Sequence, residues 1–350
     1  MHADERFRRV GARTPRSARS SALPAFLGAL LSALLAAPCV AQTDLGGQRV
    51  ATSSGTFLKI GLDARGAALG GAYAPLVEGP AAVLVNPAGV LFGPTGPAIQ
   101  FGMVRWPADL QIGLATFSMP IPSLGVHVGA GVAWLGTTID ETTEYYPAGT
   151  GRTVGYSDLL LAGSLARSFT DKLGIGVSVK YLREDLGGNV GGPVAQGLLV
   201  DAGSVYQIGW RNSRLSVTLS DFGSDLNPNA KFQSNVTGGE VSYTAFSPPT
   251  RFQLGLAVDP WSRGPHRLTG TTVILHQADN AETLRGGLEY RFRESYALRT
   301  GYDFSADEMG LSAGLGLLVR LGGQRGAFDY TWTEGGHLGT VHRLSLGFAL

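Results

Sequence analysis

Residues able to carry chemistry are few in this chain and badly spaced for it. Beyond residue 41 the histidines are His127, His266, His276, His337 and His342, and no two stand at metal-ligand spacing. Cys39 is the only cysteine, which leaves no disulfide, thiolate zinc site or thiol nucleophile downstream of it. Gly174-Ile-Gly176 and Gly314-Leu-Gly316 imitate phosphate loops, but each lies inside an alternating stretch with no helix after it. No nucleophile and base stand in a recognisable motif, so an enzyme is not expected. What does recur is charge of both signs near the C-terminus: Arg285, Glu289, Arg291, Arg299, Asp303, Arg320, Asp329 and Arg343. These share one face of alternating segments, and two readings stay open: an ion-pair lattice, or a polar ligand or ion pathway. A second cluster, Asp140, Glu141, Glu144, Tyr145 and Tyr146, is acidic and aromatic. It reads as a solvated loop, or as a loop for partner docking or calcium.

The elements that would position these residues are strands. Charged residues are only 16% of the 350, against about 25% in ordinary soluble domains, and glycine is 51 of 350. No apolar run after residue 41 reaches the ~18 residues of a spanning helix. Period-2 alternation is clear at 124–135, where Leu124, Val126, Val128, Ala130, Val132 and Trp134 share one face. It recurs at 173–182 and in the last strand, where Leu344, Leu346, Phe348 and Leu350 oppose Arg343, Ser345, Gly347 and Ala349. Fourteen strands are predicted: 97–106, 109–119, 123–136, 157–169, 173–185, 196–209, 213–223, 250–260, 267–278, 282–293, 295–304, 309–320, 326–334 and 340–350. The segments 157–169 and 267–278 alternate poorly.

The expected fold class is all-β: a transmembrane antiparallel barrel of about fourteen strands with a small N-terminal plug of short helices. An even count puts both termini in the periplasm. Short connections fall on one side of this count, while the long ones, 137–156 and 224–249, fall on the other. Trp106, Trp134 and Trp332 at outer strand ends, and Trp210 and Trp261 at inner ones, are placed in two aromatic girdles. An Arg facing lipid at mid-bilayer costs ~2–4 kcal/mol, so the charged face must be the lumen.

Residues 1–41 read as a secretory signal, with six arginines, an apolar core at 23–37 and small residues before Gln42. A lipidated Cys39 and a twin-arginine signal at Arg8-Arg9 fit less well, because of Pro38 and Val10-Gly11 respectively. Removing those six arginines and two acids leaves 22 basic and 25 acidic residues, a balance that does not suggest nucleic acid as a partner. Residues 42–92 are assigned to the plug and 93–350 to the barrel. In the plug, Asn86-Pro87 has the form of a helix cap followed by a first-turn proline.

The plug also carries a family resemblance. Phe57-Leu-Lys-Ile-Gly61, Ala64-Arg65, Gly70-Gly-Ala-Tyr73 and Asn86-Pro87-Ala-Gly89 resemble the N-terminal signature of the PorV/PorQ outer-membrane proteins, relatives of the FadL fatty-acid channels. Later blocks such as Asp201-Ala-Gly203, Gly287-Leu-Glu-Tyr290 and Leu298-Arg-Thr-Gly-Tyr302 extend it. The resemblance implies a non-enzymatic barrel in the bacterial outer membrane, in contact with outer-membrane lipid, holding exported proteins for a type IX-like secretion machinery. The alternative it implies is a passive channel for long-chain fatty acids or other hydrophobic small molecules. No cofactor or metal is expected. The polar outer loops favour the exported-protein reading, since an apolar groove there would favour the channel.

Overall fold

The computed structural model describes residues 52–350, apart from 109, 234–237, 307 and 322–323. The signal assigned to 1–41 lies outside the described residues. Fourteen long strands follow in order: β1 (Ala98–Arg105), β2 (Gln111–Ile121), β3 (Val126–Asp140), β4 (Thr153–Ser168), β5 (Leu173–Leu186), β6 (Val194–Gln207), β7 (Arg214–Gly223), β8 (Arg251–Arg263), β9 (His266–Gln277), β10 (Asn280–Phe292), β11 (Tyr296–Asp303), β12 (Leu311–Leu321), β13 (Gln324–Glu334) and β14 (Thr340–Ala349). Each pairs antiparallel with its chain neighbours, and β1 pairs with β14, Ala98 opposite Ala349 through Arg105 opposite His342. The sheet is thus a closed antiparallel barrel of fourteen strands, which satisfies every strand backbone group without help from lipid.

Alternation sorts the two faces as the sequence indicates. On β14, Leu344 and Leu346 are exposed on the outside, while Val341, Arg343 and Ser345 are buried inside. The outside carries a band of exposed Leu, Val, Ile and Phe around the wall. A closed barrel with such a band belongs in the bacterial outer membrane. The turns after β2, β4, β8, β10 and β12 are short, and the long connections lie at the opposite end, which is the outer one. β3 and β4 pair as far as Asp140 and Thr153, so the first long loop is shorter than the expected 137–156.

Four of the five tryptophans face outward, and Trp106 is a correction. It turns into the lumen, where the Arg343 guanidinium carbon lies 5.5 Å from its ring centre. On β8 a register shift between Val258 and Trp261 brings Trp261 to the outer face. A second shift, on β7 opposite β6, contains Asp221 with φ +59°, a left-handed backbone for a non-glycine residue. That bulge aims the Asp221 carboxylate inward.

The segment before β1 folds into a five-residue helix, α1 (Ala64–Ala68), and 3-10 turns at Thr56–Lys59, Gly79–Leu84 and Pro87–Phe92. These pack against the inner face of the wall, with Leu69, Tyr73, Val77, Val83 and Val90 buried. Strand glycines admit this packing. A Cβ on Gly301 would lie 2.0 Å from the carbonyl carbon of Leu69, and one on Gly203 would lie 2.1 Å from Asn86 Oδ1. The plug backbone occupies the space that side chains would otherwise fill.

Candidate functional site

The plug signature residues turn out to be fastening points. Asn86 is fully buried; its side-chain oxygen accepts from the Ala88 N–H at 3.2 Å, and its amide donates to the carbonyls of Ala74 at 3.2 Å and Ser204 at 3.4 Å. Pro87 opens the turn that Asn86 caps. Arg65 donates from Nε and Nη2 to the two Glu289 oxygens, at 3.0 and 3.1 Å. Burial works against the Arg65 charge, but the acidic groups around it, Glu289 foremost and Glu78 with it, together hold the guanidinium pKa well above its usual value. Phe57 is buried in an apolar cluster. Asp63 caps α1, accepting from the Gly66 N–H at 2.8 Å; burial and the charge of Asp329 push its carboxyl up, against the hydrogen bonds of Gly66 and Gln100.

Most of the predicted charged face assembles. Arg299 donates to Glu289 at 2.6 Å and to Asp329 at 2.5 Å, crossing β12 above Gly316, which has no side chain in the way. Arg291 donates to Glu289 at 2.8 Å, and Arg285 to Asp303 at 2.7 Å. Arg343 is buried but meets no carboxylate among the described residues. It donates to the Gly61 carbonyl and to Thr333 Oγ1, each at 2.8 Å. Arg320 is a correction: it is exposed at the inner end of β12, directly opposite Arg325, and joins no ion pair among the described residues. The strand is at its rim there, so the long side chain reaches water rather than the lumen.

In the loop cluster, Asp140 ends β3, and Glu141 accepts from Thr150 at 2.8 Å and lies 3.7 Å from Arg152. Glu144, Tyr145 and Tyr146 are exposed, and nothing gathers the five into a ligand set.

Several polar ties escape sequence reasoning. Lys180, 1% exposed, meets Asp201 at 2.6 Å and Asp221 at 2.8 Å, and Arg251 meets the same Asp221. Only the β7 bulge makes that cluster, and bulges leave little trace in alternation. At the start of the plug, Glu184 takes the Gly55 N–H at 3.0 Å and the Ser54 hydroxyl, while Asp279 takes Lys59 and the Ser53 hydroxyl.

The main departure from expectation is the outer half of the lumen beside β1–β6, where an apolar cluster sits beside the buried Asp158, Lys180 and Glu184. Val104, Ile112, Leu114, Leu135, Leu160, Leu182 and Leu199 point inward there and are buried with Phe57 and Leu58. The outer loops cap this cluster with Leu226, which is 1% exposed, and with Leu110 and Met309. The loops that read as polar therefore send apolar residues inward. Against the plug the cluster leaves a cavity of about 350 Å³, within the ~300–1,000 Å³ usual for small-molecule sites. Leu58, Ile60, Leu62, Trp106, Leu114 and Leu160 line its apolar side, and Arg343 and Arg285 reach it from the charged wall.

A closed fourteen-stranded barrel with a plug packed in its lumen is, as a class, a plugged outer-membrane barrel. The chain is similar to the toluene transporter TbuX of Ralstonia pickettii, with TM-score 0.55 and 15% identity over 83% of this chain and 97% of that one. It is similar also to the Pseudomonas putida toluene transporter TodX, with TM-score 0.53 and 13% identity over 81% and 96%. A FadL homologue of Pseudomonas aeruginosa matches with TM-score 0.52 and 13% identity over 82% and 97%. At such identities the likeness establishes the fold. No protein-family model and no curated protein matches the chain. The narrower PorV/PorQ resemblance and its type IX role receive no support from these comparisons, and the alternative reading fits them better.

Proposed function

We propose that this barrel takes up small hydrophobic molecules at the outer face of the membrane and passes them inward through its lumen. The observation that carries this is the cavity between plug and wall, one side of which is apolar, lined by Leu58, Ile60, Leu62, Trp106, Leu114 and Leu160, and the other polar, with Asp63, Lys180, Arg285 and Arg343. A water-filled lumen would gain nothing from apolar residues facing inward, and here they border a cavity as well as packing on the plug. The solved relatives described as toluene transporters and as a FadL homologue support the reading. Arg343 bears on the choice of solute. Among the described residues its charge is met by a carbonyl, a hydroxyl and the Trp106 ring, which leaves it able to take the acidic head of an amphiphile such as a fatty acid.

The test is uptake by a host whose own outer-membrane channels for such solutes are deleted. Cells carrying this barrel should take up radiolabelled toluene or a long-chain fatty acid faster than the empty host, and Leu114→Arg should abolish the gain at unchanged barrel abundance. Uptake equal to that of the empty host for both solutes, with loss of secreted proteins on deletion in the native cell, would restore the exported-protein reading.

A further inference from the structure

We propose that the periplasmic rim binds an anionic phospholipid of the periplasmic leaflet, with an acyl chain in a groove on the lipid face of β10–β13 and the headgroup held by Arg293. The first observation is charge. Arg167, Lys172, Arg263, Arg293, Arg320 and Arg325 are exposed at the inner ends of the strands, and among the described residues none forms an ion pair. The exposed acids described at that end are Asp171 and Glu294; Glu294 is already taken by Arg267 and Arg291, and the more buried Glu78 and Asp259 are held by Arg214 and by Asn212 and Thr269. The outer rim is mixed: Asp140, Glu144, Asp225, Glu240 and Glu334 are exposed there together with Arg105, Arg152, Arg183 and Lys231, and three of those bases pair with acids. The unpaired positive charge is therefore concentrated at the inner rim, at the headgroups of the periplasmic leaflet.

The second observation is the Arg320–Arg325 pair. These arginines lie directly opposite on adjacent strands, on the lumen-side parity but exposed at the rim, where like charges repel and a nearby anion relieves the repulsion. Phosphate is the group that guanidinium forks fit best.

The third observation is shape. A groove of about 650 Å³ lies on the outer wall, sided by Phe292, Tyr296, Leu298 and Phe328 and floored by the directly paired Ala297 and Gly316. Its lining is almost wholly apolar, which suits a hydrocarbon chain and no polar solute. An aromatic run leads along its inner edge: Trp261 and His266 at 5.7 Å, His266 and Phe292 at 5.1 Å, Phe292 and Tyr296 at 6.5 Å. Aromatic residues of this kind settle at headgroup depth. The Arg293 guanidinium carbon sits 5.1 Å from the Phe292 ring centre, so a cation stands at the groove mouth at that depth.

The test is native mass spectrometry of the barrel released from micelles doped with equal amounts of phosphatidylglycerol and phosphatidylcholine. Phosphatidylglycerol adducts should exceed phosphatidylcholine adducts several-fold. The quadruple variant R263Q/R293Q/R320Q/R325Q, still heat-modifiable on gels, should lose that preference. Short-chain phosphatidylglycerol, with the same headgroup, should bind less well, and inorganic phosphate should not displace the long-chain lipid. Equal adducts of the two lipids, or a preference that survives the quadruple variant, would overturn the proposal. Equal binding of the short-chain lipid would remove the groove from it.

Discussion

Glu289 and Arg299 face each other directly across the β10–β11 pair, Nε to Oε2 at 2.6 Å, and the plug residue Arg65 closes on the same carboxylate. One buried acid thus serves three arginines, two from the wall and one from the plug. Removing a partner from such a network strands charge in a dry place, which costs about 3–5 kcal/mol. Glu289→Gln should therefore lower the denaturant midpoint of the barrel and speed hydrogen exchange at 64–68. Arg65→Gln, which leaves Arg291 and Arg299 paired, should speed exchange in the plug with a smaller loss of midpoint. Equal effects on both readouts would show that Arg65 is the only contact that matters.

The close approach of Leu69 to Gly301 makes a second test. Gly301→Ala places a methyl within 2.0 Å of plug backbone, so the 69–70 turn must move. Overpacking of this kind costs about 1–3 kcal/mol. Proteolysis should then cut the 55–92 segment faster. Gly163→Ala, on the lipid face with nothing within 4 Å, should leave cleavage unchanged.

The face assignment of the last strand is tested by Leu344→Arg. Leu344 is exposed on the outer face near the middle of β14, and a lipid-facing Arg there costs ~2–4 kcal/mol at the bilayer midplane. The yield of heat-modifiable barrel should drop, whereas Leu338→Arg in the last outer loop should fold normally. Ser345→Arg would not serve as a mild control, because Ser345 Oγ accepts the Ala64 N–H at 3.0 Å and an arginine there would lift the plug.

In the outer loops, His337 Nδ1 and Glu308 Oε1 are 2.9 Å apart. The hydrogen bond to Glu308, then its charge, raises the His337 pKa; the bond from His337 lowers that of Glu308. The histidine's contribution to tying the two loops is full below its unfolded pKa of ~6.5 and fades as pH rises through the raised folded value. The Glu308 contribution is present above its unfolded pKa of ~4.3 and fades as pH falls through the lowered value. NMR titration should find the His337 midpoint above that of a free histidine, and Glu308→Gln should return it. An unchanged midpoint in that variant would mean the pair does not form in solution.

The barrel was legible because lipid outside and a glycine-rich or polar lumen inside force period 2 on strand after strand. All fourteen segments sit where alternation puts them, to within a few residues. The least regular of them held information that was missed. β4 reads badly because Leu159, Leu160 and Leu161 are all apolar: Leu161 faces lipid and Leu160 faces the apolar cavity. β9 reads badly for a related reason, with Val273 against Ala72 and Ala74 of the plug, Ile274 in lipid and Leu275 buried. Loss of alternation marked an apolar lumen, not a doubtful strand. Trp106, the Asp221 bulge and the inward turn of Leu226 depend on contacts between distant segments and leave no local pattern.

The central claim is that hydrophobic solutes enter the cavity between plug and wall, and Trp106 is the tryptophan placed to report it. Brominated hydrocarbons or brominated fatty acids should quench the barrel's tryptophan fluorescence in a saturable phase at low solute concentration, followed by a slower non-saturating phase from the lipid-facing tryptophans. Trp106→Phe should remove the saturable phase alone, and Leu114→Arg should abolish it with Trp106 in place. Quenching that never saturates and is the same in wild type and Trp106→Phe would contradict the account, because the solute would then be meeting only the outside of the barrel.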